Sequence, residues 1–429
     1  MNHAGTLTAT LRGREWPTRL TVVLLFFFSS FICYMDRINI SVTILQMEEE
    51  FGWGAAQKGL VLSSFFWGYL ITQLPGGWLA DRFGAKVVLA VGVLWWSLFT
   101  LLTPVTAGSL GLLFLARAGM GLGEGLNFPA IHSLTARWIP SQERSRAIAF
   151  NYTGLLLGTV VGLLLTPVFM VHFGWRWVFY AFGCLGFIWY VLWQRLAASR
   201  PEEHPAISPQ ELRYIQENRP DVAPAERVPW RLIFGKAPVW AVITAHFCNN
   251  LGGYFVVTWV PTYLNKELGV PQAAIGLYAM VPWVAAFLVG NVAGWLADTM
   301  IQRGVSVTAT RKIMQSVAFG GASLFLLLLI GVKSAGLAVT YMTLSFMFGA
   351  CGLAAFGVNH LDIGPKYAGI LMGITNTAAT IPGIFGPLAV GYILAVTGSW
   401  TGVFVMIAAV NLFGMVVWDL FATGEQILT

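Results

Sequence analysis

Gly77-Trp78-Leu79-Ala80-Asp81 recurs as Gly294-Trp295-Leu296-Ala297-Asp298, 217 residues later in a chain of 429. Five identical residues at an offset of half the chain read as one structural place occurring in two related halves. Each copy closes an apolar run of about 20 residues, the length a helix rising 1.5 Å per residue needs to cross roughly 30 Å of hydrocarbon. Such runs recur from Leu20 to Leu420. Composition agrees: 57% of the residues are apolar and 10% charged, against roughly 25% charged in soluble domains. A soluble enzyme is excluded.

The expected fold is an all-α membrane protein of twelve transmembrane helices in two pseudo-symmetric six-helix bundles. The predicted spans are 20–44, 57–80, 86–104, 110–136, 146–171 and 175–195, then 238–264, 274–297, 312–332, 335–361, 367–395 and 400–421. They divide the chain into a bundle at 1–196, a linker at 197–236 and a second bundle at 237–429. The linker holds Pro201, Pro205, Pro209, Pro220, Pro224 and Pro229 and much clustered charge. Parallel repeats related by an axis along the membrane normal place a substrate path at their interface, near the bilayer midplane.

The net charge of +6 reports topology rather than a nucleic-acid partner. Of 25 Lys and Arg, 19 fall in the N-terminus, the linker and alternate loops around Arg82, Arg144, Arg311 and Lys366. The opposite loops hold Lys58, Arg176, Lys266 and Lys333. The positive-inside rule then puts both termini and the linker in the cytoplasm. The first span follows Arg12, Arg14 and Arg19 like a signal peptide. It runs on through Asp36 and Arg37 without a small-residue cleavage pattern, so it reads as the first helix. Cys33, Cys184, Cys248 and Cys351 are isolated in apolar segments and read as packing residues, with no disulfide framework and no metal site.

Asp36 and Arg37 in the first span and Arg117 and Glu124 in the fourth are charges inside the bilayer. Each costs roughly 2.5–3.5 kcal/mol at a helix centre unless paired or in a wet cavity. Arg117 and Glu124, two turns apart on one face, do not easily pair with each other. Arg37 is therefore expected to pair with Glu124, and Asp36 with Arg117. Asp36 faces a different side of its helix from Arg37 and is the weakest member. The alternative is a static set of salt bridges fixing helix register.

Tyr34, Asn39, Tyr69, Gln73, Asn249, Asn250, Asn359, His360 and Asn376 are the other polar residues of the spans. Singly, each is more often interhelical glue than a ligand contact. The candidates for a substrate cavity are Arg37, Tyr34, Tyr69, Asn249, Asn359 and Asn376; for proton coupling they are Glu124, Asp36 and Arg117. His132 and His360 could relay protons, although capping or packing is the commoner role. Gly119-x-Gly121-x-Gly123-x-Gly125 lies inside a helix, where it permits close packing, and is not a dinucleotide loop. No phosphate-cradling Gly-Lys-Ser/Thr loop is present, so the energy source is an ion gradient. Asn39-Ile-Ser41 and Asn151-Tyr-Thr153 lie in predicted spans, out of reach of glycosylation.

Gly77-Trp-Leu-Ala-Asp81-Arg82-Phe-Gly84-Ala-Lys86 resembles the loop 2–3 signature of the major facilitator superfamily. Gly77 suits close helix approach and Gly84 a tight turn; Asp81 and Arg82, with Asp298 in the second copy, are candidate gating charges. Over nearly the full chain the sequence resembles the anion:cation symporter family, which includes vesicular glutamate transporters, sialin, plant organellar phosphate transporters and bacterial sugar-acid transporters. The blocks that carry this are Tyr34-Met-Asp36-Arg37-Ile-Asn39, Ser64 through Gly77, Arg117 through Pro129, Asn359 through Gly369, and Asn376-Thr377. The resemblance implies a cavity arginine at Arg37, a second arginine at Arg117, a protonatable acid at Glu124 and a possible further proton site at Asp36. Vesicular glutamate transporters carry a seventh-helix arginine where this chain has Asn249, which suits a monoanion or phosphate better than a dicarboxylate.

Arg311-Lys-Ile-Met-Gln-Ser316 and the C-terminal Asp419 to Leu428 are similar to plant plastid phosphate and ascorbate transporters. The N-terminal extension is short for a transit peptide, so a bacterial relative in the cell inner membrane is expected. The expected function is symport of a small anion, such as phosphate, a carboxylate or ascorbate, with H⁺ or alternatively Na⁺. No cofactor is expected, and the chain is expected to work as a monomer. An uncoupled facilitator or exchanger and a transporter-like sensor are the rivals.

Overall fold

The computed structural model describes residues 16–73, 75–219 and 229–428, so Arg12, Arg14, Pro220 and Pro224 lie outside the described residues. It is helical, with no strand among the described residues. The first half contains α1 (Thr18–Phe51), α2 (Ala55–Gln73), α3 (Pro75–Phe83), α4 (Ala85–Thr106), α5 (Leu110–Glu124), α6 (Asn127–Trp138), α7 (Arg144–Phe173) and α8 (Trp175–Leu196). The linker carries α9 (Pro209–Glu217) and α10 (Trp230–Phe234). The second half contains α11 (Ala237–Thr258), α12 (Val260–Thr262), α13 (Ile275–Gln302), α14 (Val307–Leu328), α15 (Ala335–Cys351), α16 (Phe356–Ile363), α17 (Ala368–Thr397) and α18 (Thr401–Phe421).

Among the described residues, eight segments are long and apolar enough to cross a membrane by themselves, and they coincide with eight of the predicted spans. The predicted spans 57–80, 110–136, 238–264 and 312–332 are also helical. The span 110–136 is broken into α5 and α6 and the span 238–264 into α11 and α12, while α11 and α14 carry His246, Asn249, Asn250, Arg311 and Lys312. The single helix expected over 110–136 stops at Glu124, and a new helix starts at Asn127.

The ends of α1 show how sequence sets these elements. Its last turn closes on Gly52, whose φ of +67° only glycine adopts freely, and the Gly52 N–H donates to Glu48 O. Its first turn has no cap of its own. The carboxylate of Glu211 on α9 accepts from the Thr18 and Arg19 N–H groups at 2.9 and 3.0 Å, placing an anion at the positive end of the helix. Arg19 also bridges to Glu143 at 2.9 Å. Burial opposes the charge on Glu143, but hydrogen bonds from Arg19 and Tyr214 prevail and hold its carboxyl below the usual range. The clamp thus contributes above the ordinary glutamate range and fades as pH falls through that lowered value.

Packing within the first half depends on absent side chains. A Cβ on Gly68 would stand 1.8 Å from Ala118 O, and one on Gly121 would stand 2.0 Å from Phe65 O, so α2 and α5 touch backbone to backbone. This seam positions Glu124 one turn beyond Gly121. Gly77 behaves otherwise than expected: a Cβ there meets nothing within 4 Å, so it does not mediate close approach. Gly84, with φ +86°, does make the tight turn between α3 and α4.

The halves touch along two seams, α2 on α17 and α7 on α13. A Cβ on Gly59 would stand 2.6 Å from Pro387 O, one on Gly391 2.6 Å from Ala55 O, and one on Gly276 2.2 Å from Leu163 O. All three glycines lie toward the side away from the basic loops. There Lys266 of the second half reaches Glu48 and Glu49 at 3.8 and 3.6 Å, and Gln46 bonds Gln272 at 3.4 Å.

Gly121→Val is expected to lower the unfolding free energy in detergent by about 1–3 kcal/mol through overpacking. Gly77→Ala should stay within about 0.5 kcal/mol of the parent. Thermal unfolding of the purified variants checks both.

Candidate functional site

α1 presents Cys33 and Arg37 one turn apart, both aimed at the end of α5. The Arg37 Nε and Nη2 groups donate to Glu124 Oε2 at 3.0 and 2.8 Å, and the Cys33 thiol donates to the same oxygen at 3.2 Å. Glu124 is 0% exposed and Arg37 8%. The guanidinium lies against three rings, 4.4 Å from the centroid of Tyr34, 4.7 Å from Phe65 and 4.8 Å from Tyr69. These faces are negative and suit a cation stripped of water.

Arg37 stands on the wall of a cavity of about 740 Å³ between the halves. The lining runs from Arg37 past Phe128 and His132 to Gly77, Gly369 and Gly373. These last three adjoin the loops of Arg82 and Lys366, so the cavity opens toward the basic side while the glycine seams close the other. Arg37 is the one permanently charged side chain among the described lining residues, and no carboxylate lines the cavity there. On the facing wall stand Asn249, Asn250 and Tyr254 of α11 and Asn376, Thr377 and Thr380 of α17. Thr380 donates to Gln73 Oε1 at 2.9 Å, and Phe66 meets Tyr254 edge on at 4.5 Å, so the two walls touch across the cavity.

Of the six cavity candidates, Arg37, Tyr34, Tyr69, Asn249 and Asn376 line this space. Asn359 does not: it is buried on α16, where its amide donates to Asp362 Oδ2 and Thr423 O at 3.2 and 2.9 Å. The same Asp362 receives Arg311 at 2.7 Å, so Asn359 belongs to a structural network at the end of the second half. His360 and His246 meet at the Thr375 hydroxyl, at 2.8 and 3.2 Å, also behind the wall. His132, expected to cap or pack, lines the cavity.

Of the two expected ion pairs, Arg37 with Glu124 forms and Asp36 with Arg117 does not. Both Asp36 oxygens are buried without a hydrogen-bond partner; the Trp96 indole faces them without making a bond. Arg117 turns back along its own helix to Met120 Sδ, 2.9 Å away, and lies 5.8 Å from the centroid of Phe65. The physical reason is angular. Asp36 and Arg37 are about 100° apart around α1, so the packing that delivers Arg37 to Glu124 turns Asp36 away from the cavity.

The gating candidates are on the surface of the basic side. Asp81 is reached by Arg137 at 3.7 Å and by Ser133 at 3.4 Å, and its side chain is 75% exposed, so the pair is worth little in this state. Arg82 lies over Trp78 at 5.0 Å. Asp298 is exposed and makes no ion pair among the described residues. Sequence reasoning missed Cys33, Phe128, Tyr152, Tyr254 and Thr380. Helical spacing could have found two of them, since Tyr254 is one turn from Asn250 and Thr380 one turn from Asn376.

A family model described as Major Facilitator Superfamily matches residues 26–387. The chain belongs to the Major Facilitator Superfamily. As a member it is a membrane transporter and not an enzyme. Probable anion transporter 4, chloroplastic, of Oryza sativa subsp. japonica is 49% identical over 97% of this chain and 70% of its own length. Ascorbate transporter, chloroplastic, of Arabidopsis thaliana is 47% identical over 97% of this chain and 77% of its own. The likeness to the anion:cation symporters stands with these relatives. A crystal structure of a D-xylose-proton symporter superposes with a TM-score of 0.76 at 15% identity, covering 95% of this chain and 99% of that one, a likeness of fold alone.

The chloroplast relatives overturn the cell inner membrane expected above. That expectation rested on the length of the segment before α1. The helices of a major facilitator fold answer to hydrocarbon thickness, which does not identify the membrane.

Arg37→Met is expected to lower stability by about 3–5 kcal/mol because it strands a buried carboxylate, and adding Glu124→Met should recover most of that loss. Equal losses in the single and double variants, read by unfolding in detergent, would show that the pair is not what holds the two helices.

Proposed function

We propose that this chain is a secondary active carrier that moves a small anion together with a proton by alternating access in an organellar membrane. The observation that carries this reading is the single fixed cation among the described residues of the cavity wall, Arg37, whose counter-ion is the carboxylate of Glu124 on α5. The relatives named for anions and for ascorbate support the sign of the substrate charge, and their chloroplast names support the compartment.

The coupling follows from competition. An ionised Glu124 engages the Nε–Nη2 edge of Arg37 and balances its charge, so it competes with an anion for the guanidinium. Protonation neutralises the carboxylate and frees the guanidinium, and an anion bound to Arg37 in turn leaves Glu124 easier to protonate. Proton and anion each favour the other's binding. Asn249, Asn250 and Asn376 offer neutral amides on the facing wall, which suit hydroxyl or carbonyl groups on a singly charged substrate better than a second carboxylate. Asp36, buried and without a partner, is a second place for a proton, with Arg117 nearby as its counter-charge.

Exchange of access requires the halves, 1–196 and 237–429, to rock about this site. The Gly59, Gly276 and Gly391 seams and the Lys266 contacts open as Asp81, Arg82 and Asp298 come together on the basic side. Both cavity walls belong to one chain, which supports a functional monomer.

Purified protein in liposomes, offered labelled phosphate, ascorbate, glutamate or a sugar acid, should accumulate one of them under an inward proton gradient. Glu124→Gln should abolish that accumulation and retain counterflow exchange. Accumulation driven by sodium alone would replace the proton as coupling ion. Flux indifferent to both gradients would mean an uncoupled carrier, and binding without flux would mean a sensor.

A further inference from the structure

The hydrogen bonds to Glu124 are distributed unevenly. Oε2 receives three donors, two from Arg37 and one from the Cys33 thiol, while Oε1 is buried and receives none. Cys33 is itself 0% exposed, and its sulfur is 3.9 Å from Arg37 Nη2. One turn of α1 thus delivers both a guanidinium and a thiol to a single carboxylate oxygen.

We propose that Cys33 is a positioning residue for Glu124: its thiol keeps Oε2 turned toward α1 and thereby sets the pH at which the carrier takes up its coupling proton. This rests on the reading of Glu124 as the coupling acid. When Arg37 leaves for a substrate anion, Oε2 loses two of its three donors. The thiol remains, because it is fixed one turn away on the same rigid helix and does not contact the cavity. The carboxyl then keeps its orientation, with Oε1, which has no hydrogen-bond partner, as the oxygen that takes the proton, and Arg37 returns to Oε2 when the anion has gone.

The residue type fits the task. A thiol is a weak donor, able to orient a carboxylate without tethering it in the ionised form, whereas an arginine or lysine there would hold it permanently charged. The other ionisable groups facing this point are Tyr34, Asp36 and Arg37 on α1, Tyr69 on α2, Arg117 on α5 and Tyr254 on α11. On neighbouring elements, α4 carries Lys86 in its first turn, and α6 carries His132 and Arg137. Among all of these, Cys33 and Arg37 are the two that bond Glu124 directly.

The bland alternative is a buried cysteine that simply fills space, which is common. Volume and donor capacity separate the two. Cys33→Val keeps the bulk and removes the donor, Cys33→Ala removes both, and Cys33→Ser keeps a donor. Removing a donor from the ionised carboxylate favours its protonated form. Val and Ala variants in liposomes should therefore reach half-maximal proton-driven uptake at a pH higher by roughly half a unit to one unit. The Ser variant should return toward the parent profile.

Glu124→Gln, run in parallel, separates the two levels of the argument. If it still accumulates substrate under a proton gradient, the coupling reading fails and this inference with it. If it uncouples while the Val and Ala profiles match the parent, or while Ser shifts with them, Cys33 is a packing residue and the inference alone is overturned.

Discussion

A guanidinium on the cavity wall and a fully buried carboxylate, 2.8 Å apart between α1 and α5, are the constraint around which the first half is arranged. Neither charge is tolerable there alone. Bringing them together requires α1 to lie close to the end of α5, and that end is fixed by the seam in which α2 and α5 touch through Gly68 and Gly121. α5 ends at Glu124, and α6, which begins at Asn127 after Gly125 and Leu126, places Phe128 and His132 along the cavity.

The same pair converts a fold into a carrier. A cavity open on one side binds an anion only if a cation on its wall is available, and under the proposed coupling that availability depends on the ionisation of Glu124. The wall itself is aromatic and amide in character, and in the proposed carrier selectivity by charge falls to Arg37 and selectivity by shape to the facing side chains of α11 and α17. Closure of the opposite side is largely a matter of backbone contact. Three glycines admit carbonyl groups where any Cβ would collide, and the ion contacts of Lys266 are long. An interface of this kind separates without leaving a buried charge behind, which suits a gate that must open on every cycle.

Several features were legible without coordinates. The duplicated pentapeptide and the recurring apolar runs led to a duplicated helical membrane fold, because hydrocarbon leaves the backbone few other solutions, and the resemblance of Gly77 through Lys86 pointed to the superfamily. The Arg37 to Glu124 pairing was legible because an isolated buried charge is so costly that its partner is sought among very few residues. Asp36 with Arg117 followed the same logic and failed, since cost alone does not say which side of α1 meets α5. Asn359 looked like a cavity residue and is a structural one, because polarity inside a span does not distinguish a ligand contact from a bond to Asp362 and Thr423.

The sequence by itself determined that this is a helical, duplicated membrane protein with a small set of intramembrane charges, since chain length, apolar periodicity and the cost of burying charge are properties of residue types in order. Tertiary structure alone decided which of those charges meet, that Cys33 joins them, that Gly59, Gly276 and Gly391 close one side, and that the cavity opens on the other. Those outcomes depend on helix rotation and on approach distances of a few ångströms, which are set by the packing of neighbouring helices and leave no mark in the spacing of residues along the chain.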